Sequence, residues 1–175
     1  MGTLFAIHVR APKTNPLAAR LARYGPAFTE SGSEFCAVEL SRYDGPSDNE
    51  LADLGSLSLE FDTDVLWLGF CSASDSFRFH HWRSGREVRA LAFGWFKEQG
   101  VWELAEGDPE PWERPAFFLP RTLAIWSEEA GEAEAEEMRR VWAAAEVRPG
   151  RVIPPIDARE SARAVAVFYR LPGWS

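Results

Sequence analysis

The chain is poor in cysteine: it has two in 175 residues, Cys36 and Cys71, each inside an apolar run. A disulfide framework is thereby excluded as the source of its stability, and both thiols are expected to be reduced and buried. Long apolar runs are missing as well. The longest, residues 65–71, falls far short of the roughly 18–20 residues that a membrane-spanning helix needs. The opening residues lack the ordered positive, apolar and cleavage regions of a secretory signal, since His8, Arg10, Pro12 and Lys13 crowd them. A soluble protein of a bacterial-type cytoplasm is the expectation.

Positive charge is scarce too: 19 Lys and Arg stand against 27 Asp and Glu, a net charge of −8. That balance repels nucleic acid and anionic membranes at long range, so neither is expected as a partner. Short catalytic signatures are absent: there is no G-x-S-x-G, H-E-x-x-H, Walker A loop, G-x-G-x-x-G or C-x-x-C. Chemistry that announces itself locally is excluded, and any site must assemble from residues distant in sequence.

Aromatic residues, by contrast, are plentiful, with 8 Trp, 12 Phe and 3 Tyr. Each can bury about 150–250 Å², and a chain of this length buries roughly 70% of the surface its unfolded form exposes. One aromatic-rich core suffices. No repeat or shift of composition divides the chain, so residues 1–175 are expected to form one domain.

Residues 3–9 are β-prone, and Asn15-Pro16 starts a short helix whose Leu17, Leu21 and Tyr24 share a face before Gly25-Pro26 ends it. Residues 34–40 alternate, with Cys36, Val38 and Leu40 facing one way. Ser47 and Glu50 form a capping box for a helix of no more than two turns, closed by Gly55. Residues 65–71 are apolar on both faces and read as a central strand. Around Ser84-Gly85, residues 77–83 and 86–96 make a hairpin. Unbroken register sets Phe77, Phe79 and His81 opposite Ala92, Ala90 and Val88, and Arg78, His80 and Trp82 opposite Leu91, Arg89 and Glu87. A turn at 97–100 leads to a third strand, 101–105, with Trp95 beside Trp102.

Residues 107–120 hold four prolines and no period, so they read as a loop pinned by Trp112, Phe117 and Phe118. Residues 121–126 suggest a last strand. Residues 127–146 read as an acidic helix with an apolar stripe of Met138, Val141, Trp142 and Ala145, its charges set favourably against the macrodipole. After a Pro- and Gly-bearing stretch, 149–155, Asp157 and Glu160 box the start of a final helix that turns Ala162, Val165, Phe168 and Tyr169 inward. The expected fold is α+β: an antiparallel sheet of about five to six strands with a central meander, packed with about four helices.

Four features carry candidate chemistry. Glu60, Asp62 and Asp64 alternate, so an extended segment would line up three hard-oxygen ligands for a divalent metal, with His80 nearby; the plainer reading is a solvated start of a strand. His80 and His81 point to opposite faces and cannot share one ion without a bulge. His81 then reads as a hydrogen-bonded core residue, and His80 joins Arg78 and Arg89 as contacts for an anionic ligand. With Arg83, Arg86, Phe79 and Trp82 they make a positive hairpin, which Glu87, Glu103 and Glu106 can alternatively neutralise. Glu132, Glu134, Glu136 and Glu137 offer an acidic surface to a basic protein, and Trp112 and Trp174 are either exposed anchors or core.

The function expected from these features is a non-enzymatic cytoplasmic binding protein, an inhibitor or immunity-like partner that uses its acidic helix. The alternatives are a divalent-metal-dependent hydrolase or transferase built on Glu60, Asp62, Asp64 and His80, and a domain binding a small anion in an apolar cavity with Arg78 or Arg89 at its mouth.

Overall fold

A computed structural model describes residues 2–11, 14–41, 45–96, 99–150 and 157–174, without the side chains of 95, 96, 99 and 129. Seven strands form one antiparallel sheet in the order β2-β3-β1-β4-β5-β6-β7. These are β1 (Thr3–Val9), β2 (Phe28–Thr29), β3 (Cys36–Glu39), β4 (Asp64–Cys71), β5 (Ser76–Arg83), β6 (Arg86–Phe96) and β7 (Gln99–Gly107). The α+β class and the meander from β4 to β7 are as expected, with one strand more. No helix among the described residues is long and apolar enough to cross a membrane.

Both faces of the sheet are covered, which is why residues 65–71 carry no polar alternation. On one face Ile7, Val9, Val38, Val65, Trp67 and Trp82 pack beneath α1 (Asn15–Leu21) and α2 (Asp48–Glu60). On the other, Leu66, Leu68, Phe77, Phe79, Leu91 and Phe93 pack beneath α3 (Glu113–Phe117) and α6 (Ala158–Tyr169). The remaining helices, α4 (Pro120–Glu129) and α5 (Glu132–Ala144), form a hairpin closed by Trp142, whose Nε1 donates to the Leu119 carbonyl at 3.0 Å and whose ring meets Phe118 and Trp126.

Several local expectations are corrected. α2 runs through Gly55 to Glu60. A Cβ on Gly55 would stand in ordinary contact, 3.5 Å from Trp82 Cδ1 and 3.6 Å from the Gly85 carbonyl, so this glycine is a helical residue over the hairpin and ends nothing. Residues 121–126 lie in α4, a helix that Pro120 opens at its first position. A short helix, α3, sits in the Pro-rich stretch, and Gly131, the N-cap of α5, splits the expected acidic helix in two. In α6 the inward stripe is Ala158, Ser161, Ala162, Val165 and Ala166. These small residues allow a close approach to β4 and β5, which leaves Phe168 46% exposed, where an inward position was expected.

The hairpin register is the largest correction. Arg83 faces Arg86 and Trp82 faces Glu87 as expected, then the pairing slips, so that His81 faces Arg89, Phe79 faces Leu91 and Phe77 faces Phe93. The extra residue is Val88. A single inserted residue turns everything beyond it to the opposite face, and Arg89 therefore joins His81. Gly107 accommodates the bulge: its φ is +81°, and a Cβ there would stand 2.0 Å from the Val88 carbonyl oxygen. A second slip, at Ala92 and Phe93, sets Trp102 opposite Phe93, with ring centroids 5.2 Å apart, while Trp95 faces Gly100. The turn at 97–100 and the stretch 149–155 lie partly outside the described residues.

Candidate functional site

One cluster of buried charge stands out, at the end of the sheet where β4 begins and β5 ends. Alternation in β4 and β5 aims Asp64, His81 and Arg83 at the α6 face. His81 Nε2 meets Asp64 Oδ1 at 3.1 Å, and its Nδ1 meets Glu110 Oε1 at 2.5 Å. Arg83 Nε donates to Asp64 Oδ1 at 2.7 Å and Arg10 Nη1 to Asp64 Oδ2 at 3.0 Å. The second Glu110 oxygen accepts from Trp112 Nε1 and from the Tyr169 hydroxyl, each at 2.6 Å. Beside this set, Arg89 grips Glu113 through both oxygens, and its Nη1 donates to the carbonyls of Glu106 and Gly107.

The electrostatics follow from this bonding. Burial opposes charge on His81, yet its bonds to Asp64 and Glu110 outweigh that, so its pKa lies above the usual imidazole value. Burial likewise works against the Asp64 anion, but bonds from His81 and Arg83 hold the carboxyl well below the usual carboxylate range. Glu110 is lowered in the same way by His81, Tyr169 and Trp112, and burial with the nearby Glu110 charge pushes the Tyr169 phenol well up. Both His81 ring nitrogens face carboxylates, an arrangement that favours the imidazolium over the neutral ring, the Tyr169 hydroxyl donates to Glu110, and both Asp64 oxygens are engaged. The cluster is a fastener that ties β1, β4, β5, the segment before α3 and the end of α6 together.

The expected sites are dispersed. Glu60, at the end of α2, pairs with Arg20 at 2.9 Å; Asp62, in a turn with φ +44°, accepts from Ser84; only Asp64 is buried. The three share no face because they occupy a helix end, a turn and a strand. Among the described residues no group of three or more His, Cys, Asp or Glu is placed to hold a metal ion. Arg78 and His80 lie on the α2 face, whereas the bulge puts Arg89 on the other, engaged by Glu113 and by the Glu106 and Gly107 carbonyls, so the anion set is divided. His80 Nδ1 meets Glu87 Oε1 at 2.7 Å, its ring stacks on Trp82, and its Nε2 is buried without a partner. Arg78 reaches Glu103 at 3.9 Å. An apolar concavity between α3 and α6 has Arg163 among its lining residues, while Arg78 lines a smaller hollow, about 110 Å³, with Phe5, Phe77, Phe93 and Glu103.

The acidic residues do face solvent. Glu136 and Glu137 pair with Arg139 and Arg140 one turn on, at 3.1 and 3.4 Å, while Glu132 and Glu134 stand exposed in the first turn of α5. Trp112 is core, 2% exposed, and Trp174 packs half-buried on Phe70. Cys36 and Cys71 are free thiols; Cys36 is buried, while Cys71 is partly exposed, and bonds from Ser74 and Thr3 lower its pKa to about 7. Sequence reasoning missed Glu110, Glu113, Tyr169 and Arg10 as partners of this end of the sheet. Strand alternation was the available signal for His81; its partners come from 29 and 17 residues away. It also missed His8, wholly buried with both ring nitrogens unpartnered. Comparison with protein-family models, with curated proteins and with solved structures finds no match to this chain.

Proposed function

We propose that this is a non-enzymatic binding protein that engages a basic protein partner through the α4–α5 hairpin, as an inhibitor or immunity-like protein of the cytoplasm would. The observation that carries this reading is the outward acidic face of the hairpin. Glu132, Glu134, Glu136 and Glu137 point to solvent, and Leu119, which caps α4, and Ile125, within it, are 46% and 47% exposed. Exposed acidic residues in excess over the hairpin's arginines, on the same hairpin as exposed apolar residues, support an interface whose association is electrostatically steered.

The test is capture from lysate at low salt with the protein and its Glu132→Gln, Glu134→Gln, Glu136→Gln, Glu137→Gln variant side by side. A basic protein retained by the first and lost from the second is expected. With that protein purified, the variant should associate about tenfold more slowly at low salt and with a flatter salt dependence. Identical captured sets, or capture persisting in molar salt, would refute the reading.

A further inference from the structure

Helix α6 presents two adjoining hollows that the acidic hairpin does not touch. The first is the groove against α3, about 580 Å³, walled by Trp112, Pro115, Ala116, Ala164, Val167 and Phe168. Val167 and Phe168 are 68% and 46% exposed there. The second, about 380 Å³, is lined by Leu4, Phe70 and Trp174 with Arg159 and Arg163, and among the described residues no carboxylate lines it. Arg163 borders both hollows.

Charge and shape together restrict the occupant. Arg159 and Arg163 are one turn apart on the same face of α6. Arg163 reaches only Glu160, at 3.9 Å with both side chains about two-thirds exposed, and among the described residues Arg159 has no carboxylate partner. Two scarcely engaged cations on a chain of net charge −8 form a local positive spot at one end of an apolar trough. The trough lies within the range of about 300–1,000 Å³ typical of small-ligand sites. A membrane surface would call for a cluster of roughly four to eight basic residues, which this face lacks. From this geometry we infer that α6 binds a monomeric anionic amphiphile, with a carboxylate or phosphate head between Arg159 and Arg163 and an apolar body along Ala164, Val167 and Phe168. Glu160, which also lines the groove, stands beside Arg163 at the same end of α6, so an incoming head displaces this loose 3.9 Å pair, and the apolar residues beyond it fix the direction of the body. This site is independent of the hairpin reading.

Calorimetric titration of the full chain with dodecanoate, kept below its micelle concentration, tests this. Saturable binding of one dodecanoate per chain is expected, with neutral dodecanol at least about tenfold weaker, and with Arg159→Ala and Arg163→Ala each weakening dodecanoate about five- to tenfold. Val167→Glu should remove binding while leaving Tm unchanged, because the side chain is mostly exposed. The inference is overturned by the absence of saturable binding, by equal affinity for the alcohol, or by arginine variants that bind as tightly as the parent. Association with phosphatidylglycerol vesicles but not with dodecanoate would overturn it in favour of a membrane. Sedimentation showing a dimer that Val167→Glu disperses, with no dodecanoate bound, would overturn it in favour of a second copy of the chain.

Discussion

His8 offers the sharpest quantitative test. It lies in β1 between Ala37 of β3 and Leu66 of β4, wholly buried, and neither ring nitrogen has a partner. Burial without a counter-charge lowers its pKa from 6.5 to about 3. Between those two values the unfolded chain binds a proton that the folded chain cannot, so stability falls as the solution is acidified. Integrated from pH 7 to pH 5, the His8 contribution to that loss is about 2 kcal/mol, and full burial leaves no solvent screening to discount. The replacement His8→Leu, close in volume, removes both unpartnered nitrogens and the titration. Urea unfolding followed by tryptophan fluorescence at pH 7 and pH 5, for parent and variant, isolates the effect as a double difference, because every other titrating group is common to both chains. The variant should equal or exceed the parent at pH 7 and gain about 2 kcal/mol on it at pH 5. Parallel pH dependences would refute the reasoning, as would an NMR titration of the folded protein that puts His8 near 6.5.

The other buried groups make predictions of their own. His81 works in the opposite sense: its folded pKa is raised, so its stabilisation is complete below pH 6.5 and is lost as pH rises through the folded value. The penalty of His81→Gln, measured by denaturation, should therefore shrink on the alkaline side. Glu113→Ala strands the buried Arg89 and should cost about 3–5 kcal/mol, read from the urea midpoint, whereas replacing the pair by Met and Leu should restore much of that. Gly107→Ala meets both a positive φ and the Val88 carbonyl, and a loss of several degrees in Tm or insoluble expression is expected. A scan of Mg²⁺, Mn²⁺ and Zn²⁺ should leave Tm unmoved, since Glu60, Asp62 and Asp64 do not converge; a rise with any of them would revive the metal reading.

What the amino-acid order determined by itself is the local part. The Ser47 and Asp157 caps, the Ser84-Gly85 turn and the doubly apolar 65–71 run act within a few residues, and each stands where its local chemistry put it; α1 begins one residue earlier than Asn15-Pro16 suggests, because Thr14 is its cap and Pro16 takes the second helical position. Tertiary structure decided the rest. Gly55 looks like a helix stop, yet α2 runs through it to Glu60 with its buried Leu54 and Leu57 on the sheet, and Phe168 looks like core until the small residues of α6 claim the sheet. The bulge at Val88 left no trace in the pattern, because alternation is blind to an inserted residue whose cost is met by a distant Gly107 lacking a Cβ. That one residue moved Arg89 from the side of His80 to the side of His81. The buried cluster was closed to sequence reasoning for the same reason: Arg10, Asp64, His81, Glu110 and Tyr169 are distant along the chain, and only the pairing of β1, β4 and β5 beneath α6 makes them neighbours.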